Sequence, residues 1–409
     1  MLKQFVRSAA MVMAALAALA MCGCAKNGTE EEQVSYTVIS EGTTAPTEST
    51  ASETEDIYAD VSETELIIPD YMVTKYASLE YGTRMQEAYD DVVNTMLNFK
   101  TKSHMPLTIS TEDYQKVLET VRCEQLMIFY LENRYSGDFD PIAQSYEMNF
   151  VYKYSIKQTN IMLMETEAAA KEIMELVSTS MSDYDKLKIF HDYLAVNVES
   201  STDSPEADSI YGALVNKKAL CEGYAKAFSY LCNMAGIENM IVTGYTNVAH
   251  MWNMVKLDGS WYHVDVGWDK PSETLTELYP DMVLYQYFLA EDSIIQNNRI
   301  ISDMLCPAPA ADCSDMYYFN AENRYADSYE KALEIIEDGC RKSIDSGEKY
   351  FMIKLDSSNL YLQTAAQLIE PDADGLSDMD KIAEKLNFKG RISYTDYYKG
   401  YRILIFILD

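Results

Sequence analysis

Two stretches of sequence predict the central fold of this chain: LCEGYAKAFSYLCNMAG at residues 220–236 and HMWNMVKLDGSWYHVDVGWD at residues 250–269. In the first stretch, apolar residues recur at helical spacing after Cys221, and Gly236 is a natural C-terminal stop. In the second stretch, an Asp-Gly pair separates two strand-like runs, which is typical of a hairpin with a two-residue turn. The sequence therefore predicts a helix followed by an antiparallel hairpin.

Cys221 lies at or just before the first turn of the predicted helix. The backbone N–H groups and the helix dipole at this end favour a thiolate over a thiol, which makes Cys221 a candidate nucleophile. Cys232 falls deeper along the same helix and is better explained as an inert thiol of the core.

The predicted hairpin brings a histidine and an aspartate together. With the Asp-Gly pair at the turn, His250 lies opposite Gly267 and Trp252 lies opposite Asp265. His250 and Asp265 are then diagonal neighbours on one face, where an imidazole and a carboxylate can reach each other.

These residues together predict a catalytic triad. A cysteine nucleophile needs a base, and the base needs a group that fixes its tautomer. Cys221, His250 and Asp265 supply the three roles in chain order. The alternative is that three buried polar residues fall in this arrangement without any chemistry.

The motifs ALCEGYAKAFSYLCNMAGI, HMWN and DGSWYHVDVGWD, preceded by the helical IFHDYLAVNVE, resemble the protease-like branch of the bacterial transglutaminase-like superfamily. The specific resemblance covers residues 181–271. It implies an α+β, papain-like core, in which a helix bearing the Cys packs on an antiparallel sheet bearing His and Asp. It also implies that Cys221 is the nucleophile, His250 the general base and acid, and Asp265 the orienting residue.

Three neighbours of the predicted triad are open to interpretation. Trp252 either lines an acyl-binding groove or belongs to the core, and Glu222 either tunes the nucleophile or caps the helix. His263 falls on the same predicted face as His250, and we interpret it as structural because the resemblance assigns the orienting role to Asp265.

The N-terminal sequence is typical of a targeting segment. Lys3 and Arg7 precede an uncharged, mostly apolar run that is too short for a comfortable membrane span and is typical of a signal peptide. The run ends in Met-Cys-Gly-Cys, which resembles a bacterial lipobox and implies a lipoprotein signal peptide at residues 1–23 with lipidation of Cys24. The alternative is ordinary signal-peptide cleavage beside two incidental cysteines.

The rest of the chain divides by composition. Residues 24–65 are acidic and rich in Ser, Thr and Glu, and predict a disordered stalk. Residues 66–180 predict an N-terminal supporting domain, residues 181–271 the catalytic core, and residues 272–409 a C-terminal α/β region. In the last region, Cys306 and Cys313 could form a disulfide or remain two free thiols.

The composition excludes some partners. The chain has 409 residues with 65 Asp+Glu against 33 Lys+Arg, so its formal net charge is -32. Such a polyanion is repelled by phosphate backbones, and we expect no nucleic-acid partner. With 4 His and no CxxC pair, the chain offers few ligands for a zinc site, and we expect no cofactor.

These features predict a cysteine acyl-transfer enzyme that is lipid-anchored at the cell membrane, on its extracytoplasmic face. Its substrate would be a peptide or isopeptide bond in a peptide or protein, and cell-wall peptides are candidates. The resemblance favours a peptidase over a crosslinking transglutaminase. The alternative is a non-catalytic, surface-binding lipoprotein on a transglutaminase-like fold.

Overall fold

The computed structural model describes residues 58–106, 108–132, 136–140, 145–395 and 398–409. The predicted signal peptide, the predicted lipidation site Cys24 and most of the predicted stalk lie outside these residues. No helix within the described ranges is long and apolar enough to span a membrane.

The helices of the described residues are numbered here in chain order: α1 (Thr83–Leu97), α2 (Thr111–Glu124), α3 (Ile156–Met174), α4 (Asp183–Asn197), α5 (Ile210–Leu214), α6 (Cys221–Ala235), α7 (Glu273–Leu278), α8 (Asp292–Ile295), α9 (Tyr318–Ala321), α10 (Tyr329–Ser346), α11 (Ser358–Gln367) and α12 (Asp378–Lys385). Short 3-10 helices are present at Ala77–Glu80, Ile128–Tyr130, Val266–Trp268 and Lys399–Tyr401.

The strands of the described residues are β1 (Lys102–Pro106), β2 (Ser136–Asp140), β3 (Ser145–Asn149), β4 (Glu199–Ser200), β5 (Lys218–Ala219), β6 (Asn239–Tyr245), β7 (Ala249–Leu257), β8 (Ser260–Val264), β9 (Phe288–Ala290), β10 (Ile300–Ile301), β11 (Tyr325–Ala326), β12 (Tyr350–Leu355), β13 (Ile392–Thr395) and β14 (Ile403–Leu408). They form an N-terminal sheet in the order β1-β3-β2, a central sheet in the order β10-β6-β7-β8-β9, a C-terminal sheet in the order β11-β12-β14-β13, and the pair β4-β5.

The central helix α6 begins and ends where the sequence predicts. It starts at Cys221 and stops at Gly236, which adopts a left-handed conformation with φ of 73°. Only a residue without a side chain adopts this conformation at little cost, and the resulting cap satisfies the last helical carbonyls. Residues along nearly the whole helix are buried, among them Phe228 and Cys232, so α6 lies in the interior of the core.

The hairpin register is confirmed for the strands themselves. Leu257 pairs with Ser260 at the turn, and the ladder continues without a slip to the pair of Asn253 and Val264. The predicted extension of this ladder is wrong, because β8 ends at Val264 and Asp265 leaves the sheet to cap the 3-10 helix Val266–Trp268. The backbone N–H of Asp265 instead donates to the carbonyl of Tyr287, at 3.2 Å.

The residue that lies opposite His250 in the sheet also differs from the predicted one. In the central sheet it pairs with Gly244 of β6, not with Gly267. A Cβ atom on Gly244 would lie 2.3 Å from the carbonyl oxygen of Ile300 and 2.7 Å from the Trp252 ring. The missing side chain therefore allows β10 and the indole of Trp252 to approach β6 closely.

The central sheet includes two strands that lie beyond residue 271 in the chain. Strands β9 and β10 follow residue 271, the predicted end of the core, yet they form the two edges of the central sheet. The C-terminal region has its own sheet and its own apolar cluster, centred on residues such as Ile336, Ile353 and Phe406. The sheet of this α/β region begins with β11, and the domain bounds drawn from the sequence stay predictions.

The end of the predicted stalk is attached to the folded body. The side-chain amide of Asn160 on α3 donates to the carbonyl of Glu65 at 2.8 Å, and Tyr58 donates to Glu165 at 3.0 Å. Residues 58–65 therefore contact α3 through hydrogen bonds. In the C-terminal half, Cys306 and Cys313 are both free thiols.

Candidate active site

A buried His–Asp pair lies at the end of the central hairpin. His250 Nε2 is 2.7 Å from Asp265 Oδ2, and both side chains are almost fully buried. The turn of the chain after Val264 brings the carboxylate under the imidazole, although Asp265 no longer belongs to the strand. The predicted contact between His250 and Asp265 is therefore confirmed. It is made by the turn after Val264, which the hairpin register alone did not predict.

Asp265 remains ionised in this position. Burial alone would raise the pKa of the carboxyl, but the charges of His250 and Arg299 and their hydrogen bonds lower it to about 2. An ionised carboxylate only accepts hydrogen bonds, so His250 Nε2 must carry a proton and donate it. This fixes the tautomer of neutral His250 and assigns Nδ1 as the nitrogen that exchanges a proton.

Cys221 is the first residue of α6, and α6 packs on the strand that carries His250. The amide of Asn253 on β7 donates to the carbonyl of Ala225, one turn after Cys221, at 2.9 Å. This buried bond ties the beginning of α6 to β7, three residues beyond His250. Cys221 is half-buried, as expected of a nucleophile that a substrate must reach.

Glu222, next to Cys221, is buried and forms ion pairs with two basic side chains. It accepts two hydrogen bonds from Arg122 Nε, at 3.0 and 3.1 Å, and pairs with Lys226 at 2.8 Å. Burial raises the pKa of Glu222, but the charges of Arg122 and Lys226 outweigh it and lower the pKa to about 2. Glu222 therefore anchors the first turn of α6 to helix α2 of the N-terminal region.

Trp252 and His263 belong to a structural hydrogen-bond chain. Trp252 is 1% exposed, and its Nε1 donates to His263 Nδ1 at 3.0 Å. His263 Nε2 in turn lies 2.9 Å from a carboxylate oxygen of Asp292 on α8. Trp252 thus forms part of the core and not the wall of an open groove, and His263 connects β8 to α8, in agreement with its structural interpretation.

A second buried pair holds the segment after Asp265. His191 Nε2 on α4 is 3.1 Å from Asp269 Oδ2, and both side chains are fully buried. The Asp269 carboxylate also accepts from the backbone N–H of Tyr287, at 3.0 and 3.1 Å. Burial raises the pKa of Asp269 to about 6, against the opposing contributions of His191 and Tyr287. His191, to which the sequence motif assigned no role, therefore fixes the loop that carries Asp265.

Arg299 is the site residue that sequence reasoning missed. Its Nη2 lies 2.6 Å from Asp265 Oδ2, and its side chain is completely buried. It stands 34 residues after Asp265, between α8 and β10, in a segment without a recognisable motif. Only the pairing of β10 with β6 brings it to the site.

Within the described residues, no group of His, Cys, Asp and Glu side chains is arranged to hold a metal ion.

We expect Arg122→Met to destabilise the protein by about 3 kcal/mol, because it leaves the buried Glu222 carboxylate with Lys226 as its remaining cationic partner. Arg122→Met combined with Glu222→Gln should not recover this loss, because Lys226 is then the buried charge without its partner. Urea unfolding measures both losses. Arg341→Met, which breaks an exposed pair with Glu337, is the control and should cost below about 1 kcal/mol. A loss in Arg122→Met no larger than in this control would contradict the anchoring role.

The central part of the chain is similar in sequence to known proteins. Residues 169–266 match the family model of the transglutaminase-like superfamily. Kyphoscoliosis peptidase of Homo sapiens is 30% identical over 95 residues, which are 20% of this chain and 14% of that protein. Kyphoscoliosis peptidase of Mus musculus is 24% identical over 145 residues, which are 30% of this chain and 21% of that protein. The chain thus matches only a minor part of the length of either relative.

A crystal structure of a TGase is similar over 41% of this chain and 50% of that chain, with 14% identity and a TM-score of 0.24. The region matched by the family model contains Cys221, His250 and Asp265, and it includes α6 and the strands β6, β7 and β8. Its α+β arrangement, a helix beginning at Cys221 packed on an antiparallel sheet, is the one expected from the motifs. Residues 169–266 of this chain form a domain of the transglutaminase-like superfamily.

Proposed function

We propose that the protein is a cysteine acyl-transfer enzyme that acts on peptide or isopeptide bonds through Cys221, His250 and Asp265. The observation that carries this proposal is the buried pair of His250 and ionised Asp265, beside the helix that begins at Cys221. A domain of this superfamily supports a cysteine peptidase-like function, and the relatives of this chain include proteins named peptidases.

In the first step, His250 Nδ1 takes the proton of the Cys221 thiol, and the sulfur attacks the carbonyl carbon of the substrate. Asp265 accepts from His250 Nε2 and stabilises the imidazolium that forms. The backbone N–H of Cys221, at the start of α6, is a natural donor to the oxyanion of the tetrahedral intermediate.

In the second step, the C–N bond breaks and the imidazolium returns its proton to the leaving amine, which leaves a thioester on Cys221. Water then attacks the thioester in a peptidase, whereas a second amine attacks it in a transglutaminase. In both cases His250 accepts the proton of the attacking group and the Cys221 sulfur is released. We favour water, and hence peptide hydrolysis, because the relatives matched by sequence are named peptidases.

The second candidate function is a non-catalytic binding lipoprotein on the same fold. The buried carboxylate disfavours it, because an ionised Asp265 without a task is costly to bury and would more readily be replaced by an apolar residue. The reactivity of Cys221 distinguishes the two functions.

We expect Cys221 to react with iodoacetamide near its maximal rate already at pH 6, because the imidazolium of His250 stabilises the thiolate. In His250→Ala, the rate at pH 6 should fall at least about 10-fold, and the profile should move toward that of an ordinary thiol near pH 8.5. Peptide mass spectrometry at a series of pH values measures the label on each cysteine.

Two internal comparisons accompany the alkylation measurement. Cys306 is half-buried and burial raises the pKa of its thiol, so it should react slowly at pH 6 in every variant. His104→Ala changes an exposed histidine on β1 and should leave the Cys221 profile unchanged. An ordinary thiol profile for Cys221 that His250→Ala does not alter would rule out the enzyme and favour the binding protein.

We further expect the wild-type protein to open peptide or isopeptide bonds in isolated bacterial cell envelopes, and the Cys221→Ala variant to be inactive. The reaction is run with a labelled primary amine, and the products are read by mass spectrometry. New termini without the label indicate hydrolysis, and incorporation of the label indicates transamidation. Identical products with wild type and Cys221→Ala would contradict activity on envelope substrates.

We also propose that the protein is anchored at the extracytoplasmic face of the cell membrane through a lipid on Cys24. The proposal rests on the N-terminal sequence, which resembles a bacterial lipobox. Mass spectrometry of the mature N-terminal peptide from bacterial cells should find Cys24 as the first residue, with a diacylglyceryl thioether. Cys24→Ser should abolish this modification, whereas the control Cys22→Ser should retain it. An unmodified Cys24 in the wild-type protein would contradict the anchor.

A further inference from the structure

Arg299 and His250 both contact the same carboxylate oxygen of Asp265. Arg299 Nη2 lies 2.6 Å and His250 Nε2 lies 2.7 Å from Oδ2 of Asp265. The other oxygen, Oδ1, accepts a hydrogen bond from the backbone N–H of Trp268 at 3.3 Å. The carboxylate is therefore held at both oxygens, and its negative charge is divided between two cationic partners when His250 is protonated.

The guanidinium of Arg299 is itself fixed on several sides. It lies 3.9 Å from the ring centroid of Tyr287, 4.4 Å from that of Trp268 and 5.9 Å from that of Trp252. Its Nη1 donates to Asn298 Oδ1 at 2.7 Å, and the amide of Asn298 donates to the Tyr287 hydroxyl at 2.7 Å. A planar cation enclosed in this way keeps one orientation, so the oxygen that it contacts keeps one orientation as well.

The strand pairing of the central sheet positions Arg299 next to Asp265. Arg299 directly precedes β10, where Ile301 pairs with Gly244 of β6, and Gly244 in turn pairs with His250 of β7. Because Gly244 lacks a side chain, the carbonyl of Ile300 comes closer to β6 than a Cβ atom would permit. Arg299 lies outside residues 169–266, the region matched by the family model.

We propose that Arg299 is a positioning residue of the active site, which orients Asp265 toward His250 and limits how strongly Asp265 stabilises the imidazolium. This inference rests on the proposed function. A carboxylate paired with His250 alone would act on the imidazolium with its full charge, whereas Arg299 compensates part of that charge in a dry environment. The proton of His250 is then held less tightly and can be passed to a leaving amine.

The other ionisable groups around this site are consistent with the role. Asp269 follows on the same loop, and burial raises its pKa to about 6, so it is mostly ionised near neutral pH. Its carboxylate is paired with His191 of α4, at 3.1 Å, and not with His250. Burial lowers the pKa of His263, which favours its neutral form. Cys221 lies at the start of α6, and the Tyr287 hydroxyl, whose pKa burial raises, stays protonated. Arg299 is thus the permanent cation nearest to the His–Asp pair in the described part of the chain.

The test is the titration of His250, followed by NMR of histidine-labelled protein and assigned with His250→Ala. Removing the cation in Arg299→Gln should raise the midpoint of His250 by about one pH unit, because Asp265 then acts without compensation. Arg299→Lys should fall between wild type and Arg299→Gln, since an ammonium keeps the charge but not the planar contact. Arg341→Gln removes an exposed arginine on α10 and should leave the midpoint unchanged.

Each outcome of the titration decides the proposal. The order wild type, Arg299→Lys, Arg299→Gln in rising midpoint supports it, and an unchanged or lowered midpoint in Arg299→Gln overturns it. If Arg299→Gln does not fold, as judged by circular dichroism, Arg299→Lys decides alone, and a midpoint equal to or below that of wild type overturns the proposal. The titration is run in the Cys221→Ala background, where the thiol no longer shares a proton with His250. Failure of this inference is therefore distinguishable from failure of the proposed enzyme activity.

Discussion

The buried carboxylate of Asp265 is the constraint on which the rest of the site depends. Burial of a charge is expensive, and the cost is offset only when oriented partners surround it. Here the partners come from separate parts of the chain: His250 from β7, Arg299 from the segment before β10, and the backbone N–H of Trp268 from the following turn. The strands, the turn and the aromatic rings around Arg299 must all be in place before this carboxylate can be buried.

The same principle extends outward from the site. Glu222 is buried beside Cys221 and is neutralised by Arg122 of α2, which joins the N-terminal region to α6. In the C-terminal sheet, Lys354 of β12 is buried and donates to Gln286 at 2.8 Å, and burial lowers the pKa of Lys354 to about 7. Buried charges and polar bonds therefore connect the N-terminal region to α6, and the C-terminal sheet to the segment before β9.

The agreement between sequence and structure is greatest where the signals are local. The start of α6 at Cys221, its end at Gly236 and the register of the hairpin follow from helix capping and turn chemistry, which involve residues close together in the chain. The contact of His250 with Asp265 was also predictable, because few residues separate them and one turn sets their distance. The course of the chain after Val264 was not, because the backbone of Tyr287 in another segment draws Asp265 out of the ladder.

The sequence alone therefore determined the residue types of the proposed triad, their order, and the helix and hairpin that carry them. The tertiary structure decided the surroundings of these residues: Arg299 on Asp265, Arg122 on Glu222, and His191 on Asp269. Each of these contacts joins residues that are 34, 100 and 78 positions apart, respectively. Electrostatic partners at such separations leave no periodic or local pattern in the sequence, because only the packing of whole strands and helices brings them together.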